Sequence, residues 1–318
     1  MAWADVLPGK LIMADPLVTV AMSVHNAAST LEPALRSILW QTFSDWELIV
    51  VDDGSTDETG LILSRFSDAR IRVMHGAGGQ QGLALRLNQC IELARGKYIA
   101  RMDADDVAYP ERLERQVRYL EAHPDIDLLG HGAVLFKEDG QALGVYPTAS
   151  EHDDICRRPW WGFPLAHPTW MGKRSWFTRH RYRDALTKGQ DQELLLRSYR
   201  ASRFAALQDI LLGYRMKEIS VRKSGQGRFN YCRQLVAQIG DVSSVLTAVR
   251  GVLIHSLAMG RDVLLDVTGS LSQRSRESFE AANDEVRMHW RRVWIRATSA
   301  DTFTGESSLP KGLIIGDQ

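Results

Sequence analysis

The chain has 318 residues, enough for one large domain or a domain with an appendage around a substantial core. Hydrophobic residues make up 44% and charged residues 25%, and 39 Lys and Arg balance 39 Asp and Glu. This is the composition of a soluble globular protein, without the global basic excess that nucleic-acid binding calls for. Cys90, Cys156 and Cys232 stand far apart with no CxxC or Cys/His spacing, so reduced, buried thiols in a cytosolic protein are expected. The opening residues lack a basic region followed by an apolar run, so no signal peptide is expected. No stretch of about 18 uncharged apolar residues predicts a membrane span. The best candidate, Val242 to Met259, is interrupted by Arg250 and His255.

The first half alternates strand and helix patterns. Leu17 to Val24 is a continuous apolar run of strand length, as in a parallel strand covered on both faces. Ser29-Thr-Leu-Glu32 matches a capping box, and Leu31, Leu35, Ile38 and Leu39 then fall on one helical face. Trp46 to Val51 predicts the second strand, Thr56 to Phe66 a helix, and Ile71 to Met74 a short third strand. Gly82 to Ala94 predicts a helix, Lys97 to Met102 a fourth strand, and Pro110 the start of another helix. Such alternation through residue 122 implies βαβ units and a mainly parallel sheet, whose ligands bind beyond the carboxyl ends of the strands. Asp52-Asp53 and Asp103-Ala-Asp-Asp106 both follow strand ends, so both belong on one rim.

From about 123 the pattern changes. Ile126 to Phe136 reads as a strand, turned at Glu138-Asp-Gly140 towards Leu143 to Tyr146. Residues 156 to 183 are rich in aromatics and arginine, Asp191 to Tyr199 reads as a helix, and Phe204 to Arg215 as shorter apolar runs. After Gly225-Gln-Gly227 the composition is helical, roughly over 229–257 and 272–298, and the tail from 299 is weakly patterned.

Asp103, Asp105 and Asp106 packed at a strand end repel one another unless a cation or hydrogen-bond donors neutralise them. Oxygen ligands at this density suit Mg²⁺ or Mn²⁺, which shares its coordination with substrate phosphates; the plainer alternative is an Asp-rich loop that caps the next helix. In Val51-Asp-Asp-Gly-Ser-Thr-Asp57 a carboxylate could accept from a base N–H or a ribose hydroxyl. A turn with helix caps accounts for Gly54 and Ser55 but not for two aspartates.

Four segments follow in order: Ser23-Val-His-Asn26, Ser37-Ile-Leu-Trp-Gln-Thr-Phe43, Glu47 through Asp57, and Ala94 through Asp106. Together they resemble the N-terminal half of glycosyltransferase family 2, inverting enzymes of the GT-A fold, of the bacterial polysaccharide and lipopolysaccharide type. The resemblance continues through His167-Pro-Thr169, Gly189-Gln-Asp-Gln-Glu-Leu194 and Leu212-Gly-Tyr-Arg215, covering about 17 to 222. It implies an α/β chain with a Rossmann-like, mainly parallel sheet flanked by helices. The implied organisation is a lead over 1–16, a catalytic domain over 17–224, a helical extension over 225–298 and a tail over 299–318. Within the catalytic domain, 17–122 would bind the nucleotide sugar and 123–224 the acceptor.

The resemblance also implies residue roles. Asp52 or Asp53 would contact the nucleotide base, with Asn26 in the donor site. Asp103 would touch ribose or metal, Asp105 would be the main ligand of Mn²⁺ or Mg²⁺, and Asp191 would be the general base. The family more often has Glu-Asp where this chain has Gln190-Asp191, so Glu193 stays open as a base. Gln80 stands where the family commonly has asparagine. The implied reaction is an in-line transfer from a nucleotide sugar, UDP by family habit, to a glycan or lipid-linked acceptor. Alternatives of other classes are a catalytically silent, sugar-binding scaffold and a nucleotidyltransferase. A dinucleotide-binding oxidoreductase lacks its glycine turn here.

Four further features have two readings each. Trp160 and Trp161 could stack on a sugar or contact lipid, or be core. His167 could line the acceptor pocket or be a structural hydrogen-bonding residue. Arg222 and Lys223 could reach the diphosphate or form a solvated turn. Over 285–296, Val286, Trp290, Val293 and Trp294 form a stripe flanked by arginines, which could lie on an anionic membrane surface or dock on the catalytic domain.

Overall fold

The computed structural model describes residues 15–76, 78–216, 221–268 and 279–299. The lead through residue 14, the tail from 300, the first part of the expected 272–298 helix and the side chain of Lys223 lie outside them. Strand β1 (Val18–Val24) is almost wholly buried, as its unbroken apolar run requires. It pairs in parallel with β2 (Trp46–Asp52) on one side and β4 (Tyr98–Asp103) on the other, while β3 (Ile71–His75) flanks β2. Helices α1 (Leu31–Leu39), α2 (Thr59–Ser64) and α3 (Leu83–Leu93) make the connections. One core packs Val18, Val20 and Met22 against Leu31, Leu35 and Ile38 of α1; the opposite face packs Ala21, Ile49 and Val51 against Leu87 and Ile91 of α3.

The second half extends the same sheet with mixed direction. After β5 (Val107–Ala108), α4 (Arg112–Ala122), β6 (Leu128–Phe136) and β7 (Ala142–Tyr146) come α5 (His152–Ile155), β8 (Met171–Lys173), α6 (Arg174–Arg179), α7 (Gln190–Ser198) and β9 (Phe204–Arg215). The order is β3-β2-β1-β4-β8-β6-β9-β5, with β7 on β6. β8 runs antiparallel to both β4 and β6, so three residues join the two halves. Helices α8 (Val221–Ala237), α9 (Val242–Val267) and α10 (Asp284–Thr298) complete the described chain.

Several sequence expectations change. The Ser29/Glu32 capping box is absent: Thr30 is the cap, without a side-chain bond to the helix, and Glu32 pairs forward with Arg36. An arginine one turn along on the same face outcompetes a backbone amide for the carboxylate. β5 and β8 are too short to show a period, and the runs over 204–215 are one strand of 12 residues. Helix α8 passes straight through Gly225 and Gly227, and a Cβ at either would meet nothing within 4 Å. Cys90 is buried, but Cys156 and Cys232 are half-buried. Helix α9 has 26 residues and contains an 18-residue stretch of mean hydropathy 1.5, long and apolar enough to cross a membrane by length and composition. The sequence reading set Val242 to Met259 aside because Arg250 and His255 interrupt it, but so few polar interruptions do not disqualify an otherwise apolar stretch.

Candidate active site

The parallel register gathers the acids. Val24 lies opposite Asp52 and Ser23 opposite Asp103, so both acidic segments leave the same edge of the sheet, on either side of β1. Asp53 is buried and accepts from the amides of Gln81 and Gly82, each at 2.8 Å, and from Nε of Arg86 at 2.6 Å. Burial opposes its charge, but these hydrogen bonds and the buried Arg86 hold its pKa below the usual aspartate range. Asp52 accepts from the Ser55 amide at 2.9 Å and hydroxyl at 2.6 Å, while its Oδ2 lies 3.8 Å from His75 Nδ1. The doubled aspartate thus has two structural jobs, a turn and a loop clamp. Asn26 is the only non-glycine residue with positive φ among the described residues, at 48°. Its side chain accepts from the Thr56 amide at 2.8 Å and its own amide donates to Ser55 Oγ, tying the end of β1 to that turn.

Beyond β4, carboxylate oxygens of Asp103, Asp105 and Asp106 lie within 4.8 Å of one another. Asp103 and Asp105 are half-buried, and Asp106 is fully buried. Asp106 accepts from the Arg215 amide at 2.8 Å through Oδ1, whereas its Oδ2 is buried with no protein partner. Burial, then Asp103 and Asp105, push its carboxyl well above the usual range. A buried, partnerless carboxylate oxygen beside two further carboxylates is the donor set of a hard divalent cation, and Mn²⁺ or Mg²⁺ fits it.

Arg101, which the sequence reading passed over, connects this cluster to the second half. Its buried guanidinium donates to Asp103, and although burial works against its charge, Asp103 keeps its pKa raised. The same charge acts on Asp191, near the N-terminus of α7. Asp191 is half-buried, and burial raises its carboxyl pKa against the opposing pull of the Gln192 and Asp191 amides and Arg101. Glu193 sits two residues on, hence on another side of the helix. It is fully buried, with Nε of Arg183 and of Arg197 each at 3.0 Å. His167 is buried, its Nε2 2.7 Å from the Tyr182 hydroxyl, and burial followed by Arg101 keeps it neutral. Neither it nor Asp191 lines the large pocket, which Gly189 and Gln192 border on either side of Asp191.

That pocket, of about 900 Å³, is lined by Tyr146, Arg158, Trp161, Gly189, Gln192 and Tyr231, among others. Trp161 is 47% exposed and stacks on His255 with centroids 5.6 Å apart and planes 6° apart, while Trp160 is half-buried beneath Arg250 at 5.3 Å. Neither is a core tryptophan; Trp170 and Trp176 are. Arg222 is exposed on α8, and the arginine tied to the acid loop is instead Arg215. The 285–296 stripe docks on the catalytic domain. Trp290 is buried against Tyr109 and Phe136 and donates from Nε1 to the Gly140 carbonyl at 2.7 Å, and Val293 is buried with it. Trp290 and Val293 thus face the sheet, while Met288 and Ile295 of the same helix remain exposed.

The model of the family described as Glycosyl transferase family 2 matches residues 19–181. The chain belongs to this family. The putative glycosyltransferase EpsE of Bacillus subtilis is 37% identical over 164 residues, which cover 50% of this chain and 57% of EpsE. The O-antigen biosynthesis glycosyltransferase WbnJ of Escherichia coli is 32% identical over 216 residues, covering 65% of this chain and 83% of WbnJ. The chain thus spans little more than half of EpsE but most of WbnJ. Among solved structures, TarS 1–349 of S. aureus in complex with UDP-GlcNAc superimposes with a TM-score of 0.60 at 16% identity, covering 88% of this chain and 79% of that one. At that identity the likeness is one of fold, and the GT-A arrangement is the fold of this family 2 chain. The matched segment ends before Asp191, so α7 to α10 stand outside the family model.

Proposed function

We propose that the protein transfers a sugar, with inversion, from a UDP-linked donor to a hydroxyl of a glycan or lipid-linked acceptor during assembly of a cell-surface polysaccharide. The observation that carries this reading is the pair of acid sites coupled to Arg101: a three-carboxylate cluster on one side and a half-buried aspartate beside a large pocket on the other. The UDP-GlcNAc bound by TarS supports the donor class, and the O-antigen role in the name of WbnJ supports the pathway class.

In this reading residues 17–122 hold the donor and 123–224 the acceptor. Asp52 takes the base or ribose contact, Asp53 fixes the 78–82 loop beneath it, and Asn26 shapes the adjoining turn. Asp105 and Asp103 would hold a divalent metal, with Asp106 adding its partnerless oxygen. When bound, such an ion neutralises charge on the departing diphosphate. The acceptor enters the pocket beside Trp161, where Arg158, with Arg157 and Arg228 exchanging their partners Asp154 and Asp262, suits an acceptor that carries phosphate. Asp191 accepts the acceptor hydroxyl's proton as the new glycosidic bond forms and the bond to the diphosphate breaks, and the proton ends on its carboxylate. A raised carboxyl pKa suits that task, because a stronger base still ionises near neutral pH. The Arg183–Glu193–Arg197 cluster favours Asp191 over Glu193 as the base.

The test has two arms. A thermal-shift panel of nucleotide sugars with Mn²⁺ identifies the donor, since a bound ligand raises apparent stability. Asp191→Asn is then expected to abolish transfer with donor affinity nearly intact. Full turnover by that variant, or no stabilisation by any nucleotide sugar, overturns the proposal.

A further inference from the structure

Helix α9 is built the wrong way round for a helix that packs on a soluble core. Its buried seam is Ser244, Ala248, Gly251, His255, Ala258 and Asp262, small or polar at every position. Gly251 lets the two helices approach closely: a Cβ there would lie 2.2 Å from Leu235 Cδ1 of α8 and 3.1 Å from the Trp160 carbonyl oxygen. The outward faces carry the aliphatic residues instead: Leu253 is 60% exposed, Leu257 74% and Leu264 68%, with Val242, Val249 and Val263 also exposed. Phe229, Val236 and Ile239 continue the exposed apolar surface onto α8 and just beyond it. A soluble helix reverses this arrangement. Small protein-facing residues and aliphatic outward-facing ones are the pattern of a helix whose outer solvent is hydrocarbon.

Charge selects the occupant. Arg250 and Arg261 are exposed and share a stripe with Leu246, Leu253, Leu257 and Leu264, at intervals of three and four residues. On α8, Arg222 and Arg233 alternate with Phe229 and Val236 in the same way. A second copy meeting this face about a two-fold axis would set arginine against arginine. Arg261 is already paired with Asp262 at 2.8 Å and Arg250 lies over the Trp160 ring, so anionic headgroups would chiefly meet Arg222 and Arg233 while the aliphatic side chains enter the acyl boundary. Arg250 lies near the middle of α9 and the seam is bound along its length to α8, so the helix lies in the plane of the interface rather than across it. We infer that the outer face of α8 and α9 docks this protein on an anionic lipid bilayer. The inference goes beyond the transfer reaction and is tested without any sugar present, so it stands or falls separately.

The experiment is flotation of the full chain with vesicles of phosphatidylcholine containing about one-third phosphatidylglycerol, and with pure phosphatidylcholine. The expected result is co-flotation with the anionic vesicles, weakened by salt and at least about tenfold weaker without the anionic lipid. Leu257→Glu, and separately Leu253→Ser, are at exposed positions and leave the melting temperature unchanged; each reduces partitioning, the glutamate by about tenfold or more. Arg233→Gln reduces it by about fivefold on anionic vesicles and leaves neutral vesicles unaffected. Absence of flotation overturns the inference, as does binding indifferent to these substitutions. So does a concentration-dependent dimer that Leu257→Glu dissociates, because the face then belongs to a second copy.

Discussion

The backbone amide of Arg215, the last residue of β9, donates to Oδ1 of Asp106 at 2.8 Å across 109 residues of sequence. The Arg215 side chain adds a bond from Nε to the Asp105 carbonyl at 2.8 Å, and its guanidinium lies over the rings of Phe136 at 4.7 Å and Trp294 at 5.5 Å. The acid loop is therefore braced by β9 and, through Trp294, by α10. Removing Arg215 with alanine should loosen the loop without touching a carboxylate. Metal-dependent nucleotide affinity is expected to fall about 10- to 100-fold, the usual effect of losing a residue that orients ligands. Calorimetry with UDP and Mn²⁺ measures it; unchanged affinity would mean that the brace has no bearing on the site.

Asp53 should behave as a clamp. Asp53→Asn leaves the buried Arg86 without its anion and is expected to cost about 3–5 kcal/mol at neutral pH. The wild-type carboxyl has a lowered pKa, so its stabilising contribution is complete above the unfolded value of about 3.9 and disappears as pH falls through the folded value. The difference between wild type and variant in urea melts should accordingly shrink in acid. A difference independent of pH counts against the ionic clamp.

Glu193 and Asp191 make opposite predictions. Glu193→Gln should lower stability by about 1–3 kcal/mol, because Arg183 and Arg197 lose their shared carboxylate, while transfer per folded molecule stays within about threefold. Asp191→Asn should raise the melting temperature at neutral pH: a carboxyl whose folded pKa is raised costs stability once it ionises. A transfer defect in the Glu193 variant that exceeds its loss of folded protein would move the base role to Glu193.

The pH profile follows from the same aspartate. The proposed mechanism requires ionised Asp191, so kcat/KM should fall as pH falls through its raised pKa, with the inflection above the ordinary aspartate value of about 3.9. Rate profiles at fixed metal and ionic strength report it. An acid limb at or below the ordinary value would remove the physical reason for choosing Asp191.

Docking of α10 can be checked at Gly213, where a Cβ would lie 2.1 Å from the buried Trp290 ring. Gly213→Ala is expected to cost about 1–3 kcal/mol by overpacking, and limited proteolysis should then cut within 279–299 sooner. Wild-type resistance in the variant would show that the helix is held by something other than this contact.

The sequence by itself determined the parallel scaffold of the first half. Uninterrupted apolar runs such as Val18–Val24 mark strands covered on both faces, and their alternation with helices obliges Asp52 and Asp103 to leave one edge. Four ordered motifs were enough to suggest the family that the comparisons then established. Tertiary structure alone decided the rest, because it depends on which side of an element faces what. Two carboxylates two residues apart on α7 look equivalent until Arg183 and Arg197 enclose one of them. The tryptophan stripe of α10 reads equally well as lipid-facing until Gly140 and Gly213 make room for its rings. Arg215 reaches the acid loop through the pairing of β9 with β5, which no local period records. And α9, the best span candidate in the sequence but set aside there for Arg250 and His255, shows its inverted faces only once α8 has claimed the small residues of its seam.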